Sequence, residues 1–418
     1  MSYTYTDEIK FANTTNFDAF GRLRVSDPFT LFDSSHRYAD NGLWSTGTAT
    51  GGTATFNADQ GLVDLSVTSA SGSEVIRETT KVFSYQPGKS LMVLSTFVMS
   101  AAKTNLRQRI GYYGLQNGLY IQLDGSTLSF VERSLVTGAV TETRISQFGG
   151  VYGAGDTGWN VDKMDGTGPS GIVLDITKAQ ILFMDIEWLG LGTVRLGFVI
   201  NGNFYVCQKF HHANLITSTY ITTASLPLRY EITNTGATSG ASTLKQICST
   251  VISEGGYQIN GLQQAIGIPV NAPINLPAAG TFYPIVSLRL KTSPDRLDAI
   301  AIITAISVIA TSAGNYNWQV IASGTTTAGS WVSAGANSAV EYNITGTSFA
   351  GGRILASGFL NASNQASTQV DILREALFKT QLERNGLTST PFELTLVVAT
   401  DNAGGDILAS MDWEEISR

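Results

Sequence analysis

At 418 residues and a formal net charge of -7, the chain is longer than one hydrophobic core usually serves, and two or three domains are expected. Only 14% of its residues are charged, 43% are hydrophobic and glycine occurs 43 times, a profile of β-sandwiches and coat-like material. With no cluster of Lys or Arg anywhere, the electrostatic footprint of a direct nucleic-acid binder is missing.

The opening stretch, Met1 to Lys10, is polar and acidic, unlike a secretory leader, and the longest apolar run, Ala299 to Ala310, is too short to span a bilayer. Neither secretion nor membrane anchoring is expected. Phe17 to Phe32 follows, spacing aromatics and arginines without a clean period of 2 or 3.6. Two readings stay open: the segment packs on its own chain's sandwich, or residues 1–41 form a docking arm anchored by Phe17, Phe20, Arg22, Arg24, Phe29 and Phe32.

Residues 42–256 read as successive strands of a jelly-roll, lectin-like β-sandwich. Leu119 to Leu123 alternates into Asp124-Gly125 and returns as Thr127 to Val131, so Leu119, Ile121 and Leu123 share a core-facing side. Val194 to Ile200 meets Asn201-Gly202, the dipeptide favoured in type I′ turns, and returns through Phe204 to Cys207. Further strands are predicted over Glu74 to Phe83, Leu91 to Met99, Ile181 to Trp188 and Leu228 to Thr233.

Gly255, Gly256, Pro269, Pro273 and Pro277 punctuate a weakly periodic stretch that reads as a linker over 257–280. Residues 281–418 start again with strand-like runs, Phe282 to Leu290, Leu297 to Ala310, Trp318 to Ala322 and Phe392 to Ala399, and form a second β-sandwich domain. Its one helix candidate is Asp371 to Arg384, where Ile372, Leu373, Ala376, Leu377 and Leu382 lie on one stripe.

Few residues invite chemistry. Cys207 and Cys248 are too few for a disulfide framework and read as buried free thiols in a reducing cytoplasm. On a strand, Asp185 and Glu187 share a face, and paired carboxylates are what glycoside hydrolysis needs. The stretch Phe183-Met-Asp-Ile-Glu187 resembles the Glu-x-Asp-x-Glu strand of laminarinase-like retaining glycosidases, but Phe183 stands at the position of their nucleophile. The bland reading keeps both acids outside while Met184, Ile186 and Trp188 fill the core.

Neighbouring His211 and His212 point to opposite faces, and His36 lies too close to Ser34, Ser35 and Asp33 for a convergent triad. Gly153 to Gly168 carries oxygen ligands without an EF-hand's spacing, so a loop held by Asp-Gly turns is expected there rather than a metal site. Tyr112, Tyr113, Trp44 and Trp159 are candidates for a sugar-stacking face, with core packing as the alternative.

Five blocks together resemble a group of tailed-bacteriophage virion structural proteins: Phe17-Asp-Ala-Phe-Gly-Arg-Leu-Arg-Val-Ser-Asp-Pro-Phe-Thr-Leu-Phe-Asp33, Asp162-Lys-Met-Asp-Gly-Thr-Gly-Pro-Ser-Gly171, Glu187-Trp-Leu-Gly-Leu-Gly-Thr-Val-Arg-Leu-Gly-Phe198, Leu226-Pro-Leu-Arg-Tyr-Glu231 and Cys248-Ser-Thr-Val-Ile-Ser-Glu-Gly-Gly256. The resemblance runs from Phe17 to Gly256 and leaves the C-terminal domain outside. It implies a virion component labelled only as structural, with no assigned catalytic residue and no implied location on the particle. Beside it, low charge, many strands and an aromatic, Arg-bearing arm lead us to expect a capsid-decorating or fibre component, assembled in the host cytoplasm and without a cofactor. Expected partners are other capsid or tail proteins and further copies of the chain. A receptor binder for a host surface glycan is the alternative, and a laminarinase-like glycosidase comes third.

Overall fold

The computed structural model describes residues 27–362 and 380–417. In chain order the first half contains β1 (Pro28–Ser35), β2 (Trp44–Ala49), β3 (Thr53–Asn57), β4 (Leu62–Val67), β5 (Glu74–Thr79), β6 (Phe83–Ser84), β7 (Ser90–Val98), β8 (Leu106–Tyr113), β9 (Gly118–Asp124), β10 (Thr127–Ser134), β11 (Thr141–Ser146), β12 (Gln180–Ile186), β13 (Val194–Ile200), β14 (Asn203–Phe210), β15 (Ser225–Leu226), β16 (Leu228–Asn234) and β17 (Ser242–Glu254). The second half contains β18 (Leu262–Gly267), β19 (Ile274–Leu276), β20 (Tyr283–Leu290), β21 (Ile300–Ala310), β22 (Gly314–Thr327), β23 (Val332–Ser333), β24 (Val340–Asn343), β25 (Ser348–Ala362), β26 (Arg384–Asn385), β27 (Thr390–Pro391), β28 (Glu393–Thr400) and β29 (Gly405–Ser417). The architecture is all-β: no helix occurs among the described residues.

Two antiparallel sheets face each other in the first half. One runs β14-β13-β12-β7-β17-β4-β3, with β1 added beside β17; the other runs β11-β10-β9-β8-β16-β5-β2. Their inward residues share one core, in which Val93, Met184 and Leu196 of the first sheet meet Ile110, Leu119, Phe130 and Tyr230 of the second. That is a jelly-roll-like sandwich, and Leu119, Ile121 and Leu123 sit in its core as the alternation requires. The Asn201-Gly202 turn has both φ angles positive, 52° and 78°, as type I′ demands. In the other hairpin Asp124 pairs with Thr127, so the turn proper is Gly125-Ser126, one residue later than the dipeptide reading. There Gly125, at φ 58°, takes the positive-φ position.

A second sandwich follows, with sheets β23-β24-β20-β28-β22-β25 and β18-β29-β19, the latter extended by β21 on the far side of β29. Trp318, Leu396, Ile303, Met411 and Trp413 fill the core between them. The linker expectation is corrected here. β18 and β19 both pair with β29 and together cover one of its edges, while Pro269 and Pro273 occupy the interruption between the two short strands. Proline cannot donate to a ladder, so the punctuation read as a linker marks a broken edge.

Of the helix predicted over Asp371 to Arg384, only Thr380 to Arg384 is described, and it is extended: Gln381 bridges to Ile302, and Leu382 donates its amide to Ala301. This segment fastens the two sandwiches. Arg384 donates its amide to Thr80 O at 2.9 Å, and Gln381 Nε2 reaches Val82 O at 3.0 Å. Val82 of the first sandwich packs on Ile300 and Ile302 of the second.

Candidate functional site

Phe17, Phe20, Arg22 and Arg24 of the expected docking set lie outside the described residues. Phe29 and Phe32 are placed in β1, whose pairing with β17 makes the segment Pro28–Ser35 part of the first sandwich. A register shift between Thr30 and Phe32 turns both Leu31 and Phe32 inward, and Phe32 is buried against Phe83. Phe29 stacks on Tyr257 with ring centroids 6.2 Å apart. For these two residues the own-chain packing alternative describes what is seen: Phe32 is buried in the first sandwich and the partly exposed Phe29 lies on Tyr257.

Asp185 and Glu187 flank the end of β12, with Met184 and Ile186 in the core and Trp188 packed against it. Asp185 is buried and ion-paired with Arg195, while Glu187 is exposed. Burial pushes the Asp185 carboxyl above its ordinary value, and Arg195 opposes that shift. Phe183, where a retaining glycosidase needs its nucleophile, lies edge-on to Phe204 at 5.1 Å.

Asp156 and Asp162 are occupied by their own loops. The Asp156 carboxylate accepts from Ser146 N at 2.8 Å and Ser146 Oγ at 2.7 Å, and that of Asp162 accepts from Met164 N at 2.7 Å and Ser170 N at 2.8 Å. A Cβ on Gly168 would lie 2.2 Å from Asp162 Oδ1, so the Asp162–Gly171 block closes on its own carboxylate.

The proposed sugar-stacking rings are all buried. Tyr112 donates to Phe83 O or Ala224 O, Trp44 to Ser34 Oγ at 2.9 Å, and Trp159 to Ile145 O at 3.2 Å. Tyr113 lies beneath the Arg133 and Arg229 guanidiniums, at 5.7 Å and 5.5 Å. Cys207 is a buried thiol as expected, whereas Cys248 is partly exposed.

What the sequence reading missed covers the outer face of the seven-stranded sheet. Register places Arg144, Val131, Tyr120, Gly111, Arg229 and Glu78 in one row across six strands, with Gln122, Arg109 and Glu231 in the next. Gly111 is needed there because a Cβ would meet Leu119 O at 2.3 Å. Arg229 pairs with Glu78 at 3.2 Å and Glu231 at 3.6 Å, and Glu231 also takes Arg107 at 3.1 Å and Arg109 at 3.6 Å. Burial would raise Glu231, but its three arginines outweigh that and lower it. Glu142 accepts from Tyr120 and Arg133, each at 2.7 Å, and from Arg144; these bonds overcome the burial effect and pull it down to about 2. Glu231 and Glu142 are thus held ionised and saturated with donors, whereas burial pushes Glu78 above its ordinary value against the opposing pull of Arg384 and Arg229; donor-filled acids of this kind suit fastening rather than proton transfer. A sign of it was available: Arg107-Gln-Arg109, Glu142-Thr-Arg144 and Arg229-Tyr-Glu231 place charges at period two, on one face of a strand, in a chain poor in charge.

Near the β11 edge but on the inner face of the sheet, where Glu132 pairs with the core residue Leu119, His212 gives Nε2 to Glu132 at 2.8 Å and Nδ1 to Gly192 O at 2.6 Å, and stacks on Tyr220 at 3.9 Å. His211 contacts Thr193 Oγ1 instead, so the two neighbours diverge as expected. At the other edge, buried Arg384 from the second sandwich reaches Glu78 at 3.0 Å, Thr79 O at 2.7 Å and Asp298 at 2.9 Å. Among the described residues no group of three or more His, Cys, Asp or Glu side chains is placed to hold a metal ion.

No family model matches the chain, and no curated protein matches it. Solved structures align weakly with it. A protein of unknown function from Shewanella oneidensis aligns at 10% identity with a TM-score of 0.36, over 57% of this chain and 91% of that one. The carbohydrate recognition domain of Emp47p aligns at 13% identity and a TM-score of 0.32, over 54% and 96%. The receptor-binding domain of botulinum neurotoxin type G aligns at 9% identity and a TM-score of 0.30, over 63% and 57%. At such scores the likeness carries no argument about function.

Proposed function

We propose that this chain is a non-enzymatic structural component of a tailed-phage particle, decorating the capsid or forming part of a fibre, and that it attaches through the residues that precede β1. The observation that supports the reading most is where the blocks that resemble phage structural proteins fall. Phe29 to Asp33 and Cys248 to Glu254 are the two partners of the β1–β17 ladder. The Asp162 block is a loop tied to its own carboxylate. Trp188 O accepts from Leu191 N and Gly192 N, closing the turn after β12, and Arg229 and Glu231 anchor the ionic lattice. Residues that define the resemblance are thus used in building and bracing a sandwich, as suits a part that repeats in an assembly.

The structure changes how the reading is tested. Removing residues 1–40 would strip β1 from the sheet, so the informative truncation removes 1–26 and keeps the strand. Gradient-purified particles from the phage encoding this chain are expected to contain the full chain at regular copy number and to lack the truncated form, which melts like the full chain. Particles without the full chain overturn the structural role; incorporation of the truncated chain overturns attachment through 1–26.

A further inference from the structure

We propose that the cleft at the junction of the two sandwiches is a binding site for a short, neutral saccharide. This inference stands apart from the particle reading. The cleft is about 610 Å³ in volume and is walled by Tyr85, Trp188 and Tyr257 of the first sandwich, by Gln258 and Asn260 just beyond it, and by Ile416 of the second. That volume lies within the range of roughly 300–1,000 Å³ typical of ligand clefts.

Its chemistry is aromatic and, apart from Lys89, uncharged. Tyr85, itself buried, meets the partly exposed Trp188 edge to face at 6.2 Å and so fixes the indole. The Tyr257 ring is held from behind by Phe29 at 6.2 Å, and its hydroxyl by Ser84 Oγ at 2.8 Å. A pyranose offers a C–H face that packs on such rings and a rim of hydroxyls that pairs with amides. The amides are there: Gln258 and Asn260 are both exposed, and their side chains touch each other only through a long 3.5 Å contact. Gln86, by contrast, is locked, donating to Gln258 O at 2.7 Å and accepting from Lys89 Nζ at 2.6 Å.

Two further observations narrow the ligand. The indole Nε1 of Trp188 is buried and has no acceptor among the described residues, a donor that a ligand hydroxyl would satisfy. No carboxylate lines the cleft, and its one charged lining residue, Lys89, is already bound to Gln86 and to Gly256 O at 3.1 Å. A cationic sugar therefore finds no counter-ion, and the Lys89 ammonium is turned onto Gln86 and Gly256 O, whereas a neutral sugar is met by rings, amides and an unused donor.

The test is saturation-transfer NMR and tryptophan fluorescence on the full chain with cello- and malto-oligosaccharides, chitotriose and a sialylated trisaccharide, each at millimolar concentration. At least one neutral member is expected to bind; response to hexose oligomers or to chitotriose separates a plain polysaccharide from an N-acetylated, wall-type source. Thr222→Trp, which adds bulk to an exposed lining position, is expected to raise Kd at least tenfold, with Trp188→Phe and Gln258→Ala each raising it several-fold. Gln258→Ala changes an exposed side chain, so it reads the site even if the tryptophan variant fails to fold. Absence of binding by every neutral member, preference for the sialylated one, or binding unchanged in Thr222→Trp and Gln258→Ala overturns the proposal.

Discussion

Replacing Arg384 by Met tests whether the buried ionic contact between the sandwiches is structural. The substitution keeps the apolar stem and removes the guanidinium, which leaves Thr79 O without its 2.7 Å donor and Glu78 with Arg229 alone at 3.2 Å. Stranding one partner of a buried pair costs about 3–5 kcal/mol. Because Glu78 keeps Arg229, and the Asp298 partner is 55% exposed and adds little, the lower end applies, about 3 kcal/mol. At roughly 2–4 °C per kcal/mol for a domain of this size, calorimetry should show the melting temperature fall by about 6–12 °C. Adding Glu78→Gln removes the stranded charge, so the double variant should lose less than the two single losses combined by at least ~1 kcal/mol. A single-variant loss below ~1 kcal/mol, or additivity within ~0.5 kcal/mol, would refute the reasoning.

The two buried histidines should titrate in opposite directions. Burial lowers the His212 imidazole, but Glu132 and Gly192 O outweigh it and raise the value above 6.5, so its stabilisation is complete below 6.5 and fades as pH rises through the folded value. Burial and Arg77 depress His36 below 6.5, so its contribution is lost as pH falls; NMR titration of the ring protons that failed to separate the two would contradict both environments. With Glu142 held at about 2 against an ordinary 4.5, wild type should lose about 1–2 kcal/mol, after solvent screening, as pH falls across that interval; Glu142→Gln should flatten the acid limb of the denaturation profile. Gly111→Ala drives a Cβ to 2.3 Å from Leu119 O, a backbone clash worth at least ~2 kcal/mol by urea denaturation, and a neutral result would mean the strands can part there. The Cys207 thiol, buried and raised by that burial, should stay silent to a thiol reagent until the protein unfolds, which a reaction of two thiols in the native state would disprove.

The all-β class and the two central hairpins were legible because alternation and turn residues are local signals. β1 was not, since its bulge sets Leu31 and Phe32 inward together and erases the period of two over the residues that matter. β18 and β19 were hidden for another reason: each is short, mostly exposed and separated from the other by prolines, so neither shows an apolar face. The extended course of Thr380 to Arg384 is set by partners about eighty and three hundred positions away, Ile302 and Val82, against a local pattern that also suits a helix. The lattice on the outer sheet face unites residues from Glu78 to Glu231, and register alone brings them together. The cleft is less visible still, because Trp188, Tyr257 and Ile416 become neighbours only when the two sandwiches meet.

β29 is hydrogen-bonded to β18, β19 and β21 and carries Met411 and Trp413 into the second core. During synthesis, therefore, the first sandwich has every strand it needs once β17 has left the ribosome, while the second must wait for residues 405–417 before its smaller sheet has a middle. Until then β18, β19 and β21 are unpaired edges beside a finished domain, and the interval between the two events is when this chain is most exposed to pairing with its neighbours.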